Sequence, residues 1–286
     1  MKEPSFGREI GDFSAWVRGL GGVVLTGGSS GIGEAILRML QTMDANLPVC
    51  NLSRSIPAER FSSNKSTHVP CDLSRPDALE SAMDAVRTWL SGLTREGRIL
   101  LINNSGFGGY GRFPEPAVEH QLEMIDLNIR ALVAITGRLL PVLKERGGVV
   151  VNVASTAAFQ PTPGMATYGA TKSFVLDWSL ALDEDLAGTG VRCMVLCPGP
   201  TSSRFFQKAG FDEPPMAGGG HTSEQVALLL LRGLVSGKRL VICGFRNRLV
   251  AGIVSKLPRS WAACVSGIVL RRLRLESRLR KRPSAR

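Results

Sequence analysis

The 286-residue sequence contains no run of 18 apolar residues, so it offers no evident membrane-spanning helix. Met1 to Gly21 show no apolar stretch behind a basic start, and no secretory leader is expected. The six cysteines, Cys50, Cys71, Cys193, Cys197, Cys243 and Cys264, form no Cys-x-x-Cys pair. The three histidines, His68, His120 and His221, share no ligand spacing. Zinc sites of the usual spacing are therefore excluded. Most of the cysteines fall in apolar runs, which predicts buried, reduced thiols in a cytoplasmic protein. No internal repeat is present.

What is present is enough apolar material, 44% of residues, for a full core in one large domain or two small ones. The net charge of +11 is unevenly placed. From Arg232 onward there are 15 Lys and Arg against one acid, Glu276, whereas the first 231 residues hold 20 basic and 23 acidic side chains. A nearly neutral body thus precedes a strongly basic tail.

Strand-like and helix-like segments alternate. Residues 22–26, 47–52, 68–71, 98–103, 148–153, 191–196 and 240–243 read as strands. Helices are expected over 32–43, 78–93, 118–146 (broken near Asn128), 167–186 and 223–236. Near-continuous apolar strands between helices predict an α/β fold, a Rossmann-type doubly wound parallel sheet of about seven strands. Such sheets bind ligands beyond the carboxyl ends of their strands, where the polar and glycine-rich pieces fall. The expected organisation is an N-terminal extension over 1–20, a dinucleotide-binding catalytic domain over 21–243 and a basic helical extension over 244–286.

Thr26-Gly27-Gly28-Ser29-Ser30-Gly31-Ile32-Gly33 lies between the first strand and the first helix after it. Glycine allows a tight turn and close backbone approach to a pyrophosphate, whose charge the helix N-terminus attracts; a purely structural turn would look similar. An acid near the end of the second strand would hold an NAD ribose. Here Asn51-Leu52-Ser53-Arg54-Ser55 has none, and Arg54, unless a plain surface charge, suits a 2′-phosphate. NADP(H) is therefore favoured over NAD(H).

Tyr168 and Lys172 are four residues apart, which puts both on one face of a helix. Such pairs also occur on solvated faces. A phenol titrates at about 10 and an adjacent ammonium is expected to lower that value. Ser155, thirteen residues before Tyr168, can add a hydroxyl to the same space.

Taken together and in this order, these pieces resemble the short-chain dehydrogenase/reductase family over residues 20–243. The resemblance rests on Thr26 to Gly33, Asn103-Asn104-Ser105-Gly106 (with Ser105 where the family carries Ala), Asn128, Ser155, Tyr168 with Lys172, and Pro198-Gly199. It implies an oxidoreductase that moves hydride between nicotinamide and a carbonyl or secondary alcohol. Tyr168 would be the acid–base residue, Lys172 would lower its pKa and bind ribose, Ser155 would hold the carbonyl, and Asn128 would help a water relay. Cofactor contacts are expected from Thr26, Gly27, Ser29, Ser30, Gly31, Ile32, Gly33, Ser53, Arg54, Asp72, Leu73, Asn104, Ser105, Gly106, Tyr168, Lys172, Pro198, Gly199 and Thr201. A homodimer or homotetramer is implied as well.

Phe107, Phe159, Met165, Phe205 and Phe206, with Tyr110 and Phe211, can line an apolar pocket or simply pack as core. The run Pro198 to Phe206 resembles a subgroup near long-chain ketoacyl and ketosphinganine reductases, which suggests a lipid-like ketone. The alternatives are a reductase of small ketones or 3-oxoacyl thioesters, and a non-catalytic dinucleotide-binding regulator or scaffold. In the tail, Leu249, Val250, Ile253, Val254 and Leu257, then Trp261, Val265, Ile268, Val269 and Leu273, have helical spacing. They suit peripheral contact with a membrane, packing on the body or packing on another subunit. Nucleic acid is disfavoured because stacking aromatics are lacking.

Overall fold

Runs such as Ile99-Leu100-Leu101-Ile102 have no polar side to turn to water, and they become strands covered on both faces. The structure, a computed structural model, describes residues 6–57, 66–202 and 220–272. Its main sheet contains β1 (Leu20–Thr26), β2 (Val49–Ser53), β3 (Ser66–Pro70), β4 (Arg98–Asn103), β5 (Gly148–Val153), β6 (Val191–Cys197) and β9 (Leu240–Ile242). All pairings are parallel, in the order β3-β2-β1-β4-β5-β6-β9. Two short strands, β7 (Thr201–Ser202) and β8 (His221–Thr222), pair with each other beside it. The order reverses between β1 and β4, so a crevice opens beyond their carboxyl ends.

Successive strand residues point to opposite faces and split the core in two. On one face Leu100 and Ile102 join Val23 and Leu25 against α1 (Phe6–Arg18), α2 (Gly31–Met43) and α7 (Ser223–Val235). On the other, Ile99 and Leu101 pack against α3 (Pro76–Ser91) and α5 (Leu132–Arg146). α6 (Ala166–Asp185) closes that face beside β6 through Val175 and Leu176. Buried Asn103 and Asn152 tie β4 to β5. Asn103 Nδ2 donates to Asn152 Oδ1 at 2.8 Å and to Thr136 Oγ1 at 3.0 Å, and Asn152 Nδ2 donates to Ser179 Oγ at 2.9 Å.

The expected strands and helices form, some with the expected ends and others shifted by a few residues, and one feature differs in kind. Residues 6–18, read as an extension, are helix α1; its Phe13 and Val17 are buried against the sheet core. The long helix is interrupted where a break was expected: α4 (Val118–Ile125) passes through a π-helical stretch, Asp126–Ala131, into α5. Of the cysteines, Cys264 is exposed and the other five are buried. Beyond β9 the chain continues as α8 (Phe245–Val254) and α9 (Arg259–Arg272).

Candidate active site

The glycine loop is shaped by close approach. Gly27 has φ of +72° and Gly31 of +60°, values that favour glycine. A Cβ on Gly33 would stand 2.3 Å from the Gly27 carbonyl oxygen. The loop is tied across the crevice by Thr26, whose Oγ1 accepts from the backbone N–H of Asn104 at 3.0 Å and of Ser105 at 2.9 Å. Asn104 Nδ2 donates to the carbonyls of Thr26 and Gly27. Below it, the Gly28 N–H donates to Asn51 Oδ1 at 2.8 Å. Ser30, the N-cap of α2, makes no side-chain capping bond, so the first N–H groups of this helix are directed into the loop without a competing side chain. That cradle fits a pyrophosphate.

Arg54 and Asp72 stand on the rim at the ends of β2 and β3, 3.9 Å apart. Burial raises the Asp72 carboxyl, but bonds from the Ser74 hydroxyl and N–H and the charge of Arg54 outweigh it and hold the group below its ordinary value. No carboxylate follows Asn51 along β2, and an arginine at this point fits an anionic phosphate better than a neutral ribose hydroxyl.

Ser155 follows β5 in extended conformation, and its Oγ accepts from the Ala157 N–H at 3.1 Å and hydrogen-bonds the Tyr168 side chain. Tyr168 and Lys172 are both buried on α6. Lys172 Nζ donates to the Val153 carbonyl at 2.8 Å and lies 5.9 Å from the centre of the Tyr168 ring. Burial pushes the phenol up to about 12, opposed by the Ser155 hydrogen bond. Burial also brings Lys172 down to about 8. The expected lowering of the phenol by its lysine neighbour is not seen: loss of water around Tyr168 holds it above its ordinary value, and the Ser155 hydrogen bond is the contribution that favours the phenolate.

Asn128 sits in the π-helical stretch, behind the cavity wall. Its Oδ1 accepts from the Phe107 N–H at 3.2 Å, and its Nδ2 donates to the Phe107 carbonyl and to Thr171 Oγ1, each at 3.0 Å. It clamps the loop after β4 to α6. A Cβ on Gly106 would fall 2.9 Å from Asn128 Oδ1 and 3.2 Å from Lys172 Nζ, so glycine there lets the two side chains close in.

These parts enclose a cavity of about 550 Å³. Ser155, Tyr168 and Lys172 line it together with Gly27, Ser29, Ser30, Gly31, Ile32, Ser53, Arg54, Asp72, Leu73, Asn104, Ser105, Gly106, Pro198, Gly199 and Thr201. Thr26, Gly33 and Asn128 lie behind this lining, as supports. Phe107, Phe159 and Met165 also face the cavity, with Tyr110. Phe205, Phe206 and Phe211 lie outside the described residues. Sequence reading missed Glu123 of α4, Leu127 of the π-helical stretch, and Asn247, Val250 and Ala251 of α8. The apolar spacing of α8 was visible, but which side it turns to the crevice is a tertiary fact.

The family model described as short chain dehydrogenase matches residues 22–214. The chain is similar to a serine 3-dehydrogenase of Agrobacterium fabrum, 33% identical over 192 residues, covering 65% of this chain and 74% of that protein. It is also similar to a ketoacyl reductase of Nostoc, 28% identical over 219 residues, 74% of each. Among solved structures, a short-chain dehydrogenase from Sphingobium yanoikuyae in complex with NADPH matches with a TM-score of 0.69 at 26% identity, covering 83% of this chain and 96% of that one.

Proposed function

The chain belongs to the short-chain dehydrogenase/reductase family, and from that premise we propose that it is an NADP(H)-dependent oxidoreductase acting on an apolar, lipid-like ketone or its secondary alcohol. The observation that carries this reading is that Ser155, Tyr168 and Lys172 line the same cavity as the glycine loop. A dinucleotide-binding scaffold would need the loop alone.

When bound, the nicotinamide supplies or accepts the hydride. The chain's own groups handle the oxygen and its proton. In reduction, Ser155 Oγ hydrogen-bonds the substrate oxygen as charge develops there, and Tyr168 Oη gives it a proton. In oxidation Tyr168 takes the proton back. Lys172, fixed by the Val153 carbonyl, holds positive charge beside the pair. Asn128 acts through Phe107 and α6, as a positioning residue.

Arg54 supports the preference for a 2′-phosphate, and Phe107, Phe159, Met165 and Val250 support an apolar substrate. The likeness to a ketoacyl reductase agrees with that class. For the homo-oligomer, Val118, Leu122 and Ile125 on α4 and Phe174 on α6 are exposed apolar side chains suited to a subunit contact.

The test is NADPH consumption by the purified chain against long-chain ketones and small charged ketones, with NADH in parallel. Faster turnover of the long-chain ketones with NADPH is expected. Arg54→Ala should raise KM for NADPH about tenfold and leave that for NADH nearly unchanged, the loss of one charge-assisted contact. Activity confined to small charged ketones, or an equal effect of Arg54→Ala on both cofactors, would refute the respective assignment.

A further inference from the structure

Helices α8 and α9 are packed inside out. Against the body they set small or polar side chains: Ala251 is 5% exposed, Ala262 2% and Ser266 8%. Outward they turn Phe245, Leu249 and Ile253 at steps of four on α8, and Trp261, Val265 and Ile268 at helical spacing on α9. A surface helix of a water-soluble domain ordinarily does the reverse. The exposure is large: 72% for Phe245, 55% for Leu249 and 67% for Trp261. Large exposed apolar side chains repeated at helical spacing on each helix mark an interaction surface.

Charge narrows the partner. Between Phe245 and Arg272 there are six Lys and Arg and no Asp or Glu, and the sequence beyond adds further arginines. Two copies of this face would repel each other, which argues against self-pairing through it. No helix among the described residues is long and apolar enough to cross a bilayer. Large apolar residues beside arginines, with an exposed tryptophan, are the chemistry of a helix lying in the headgroup region. We propose that α8 and α9 dock the protein on an anionic lipid bilayer surface. α8 meanwhile contributes Asn247, half-exposed Val250 and buried Ala251 to the cavity, so docking brings one wall of the cavity to the lipid. Docking itself is independent of turnover, so it stands or falls separately from the proposed reaction.

The experiment is flotation of the intact chain with phosphatidylcholine vesicles, with and without phosphatidylglycerol, at low and high salt. Wild-type protein should float with the anionic vesicles, less so at high salt, and remain in the aqueous phase with phosphatidylcholine alone. The double variant Leu249→Ser, Trp261→Ser should bind about tenfold more weakly, through lost apolar insertion. Its thermal midpoint and circular dichroism check that it is folded. Should it not fold, a blue shift of wild-type tryptophan emission on adding anionic vesicles takes its place. Wild-type protein left in the aqueous phase with every vesicle, or a folded double variant that floats equally well, would overturn the proposal. So would a dimer in solution that the double variant dissociates, since the face would then be covered by a second copy.

Discussion

Tyr168 and Lys172 share a helix face, yet burial drives their protons in opposite directions. The phenol is favoured neutral, at about 12 against 10.0 for an exposed group. The lysine is held down to about 8 against 10.5. A raised folded value means that Tyr168 adds stability below pH 10, lost as pH climbs from 10 to 12. A lowered folded value means that Lys172 costs stability at neutral pH, and that this cost is relieved between about pH 8 and 10.5. The phenol can be read directly, because Tyr110 and Tyr168 are the two tyrosines of the sequence. In a Tyr110→Phe variant without cofactor, phenolate absorbance should rise with a midpoint near 12. A midpoint near 10 would mean that Tyr168 is not buried as described. Sequence spacing gave the membership of this pair, but not its electrostatics: the sign of the phenol's shift depends on exclusion of water, which no local pattern records.

At the scale of elements, strands were legible because buried parallel strands leave a plain signature, as in Arg98–Asn103 and Gly148–Val153, whose bounds match expectation residue for residue. Helix α1 was less so, although apolar residues at 6, 10, 13 and 17 stand at helical spacing; one and a half faces of such a short segment are outweighed by its flanking glycines and charges. Asn128 was recognised through its motif, while the π-helical widening that delivers it to Phe107 and Thr171 depends on packing. Helix α8 was read as part of a separate tail, and its cavity side appeared only in the fold. That side gives a prediction. Val250 is half exposed at the cavity; Val250→Asp puts a carboxylate there, so KM for a long-chain ketone should rise about tenfold through the lost apolar contact with its chain, while a small ketone is little affected. Parallel losses on both substrates would show that α8 supports the fold and does not select the substrate.

The whole molecule divides by charge as well as by architecture. The first 231 residues, with 20 basic and 23 acidic side chains, build most of the sheet and its crevice, and the basic remainder supplies the last strand, helix α8 at the crevice and helix α9. The cavity is therefore assembled from both parts: glycine loop and acid–base residues from one, a wall from the other. The proposed reaction depends above all on Tyr168 as proton donor and acceptor beside a bound dinucleotide. The most direct measurement compares wild type with Tyr168→Phe in two assays, NADPH binding by fluorescence and ketone reduction by NADPH consumption. Binding should be unchanged and turnover reduced about a thousandfold, within the range of a lost general acid. Wild-type turnover in the variant would contradict it.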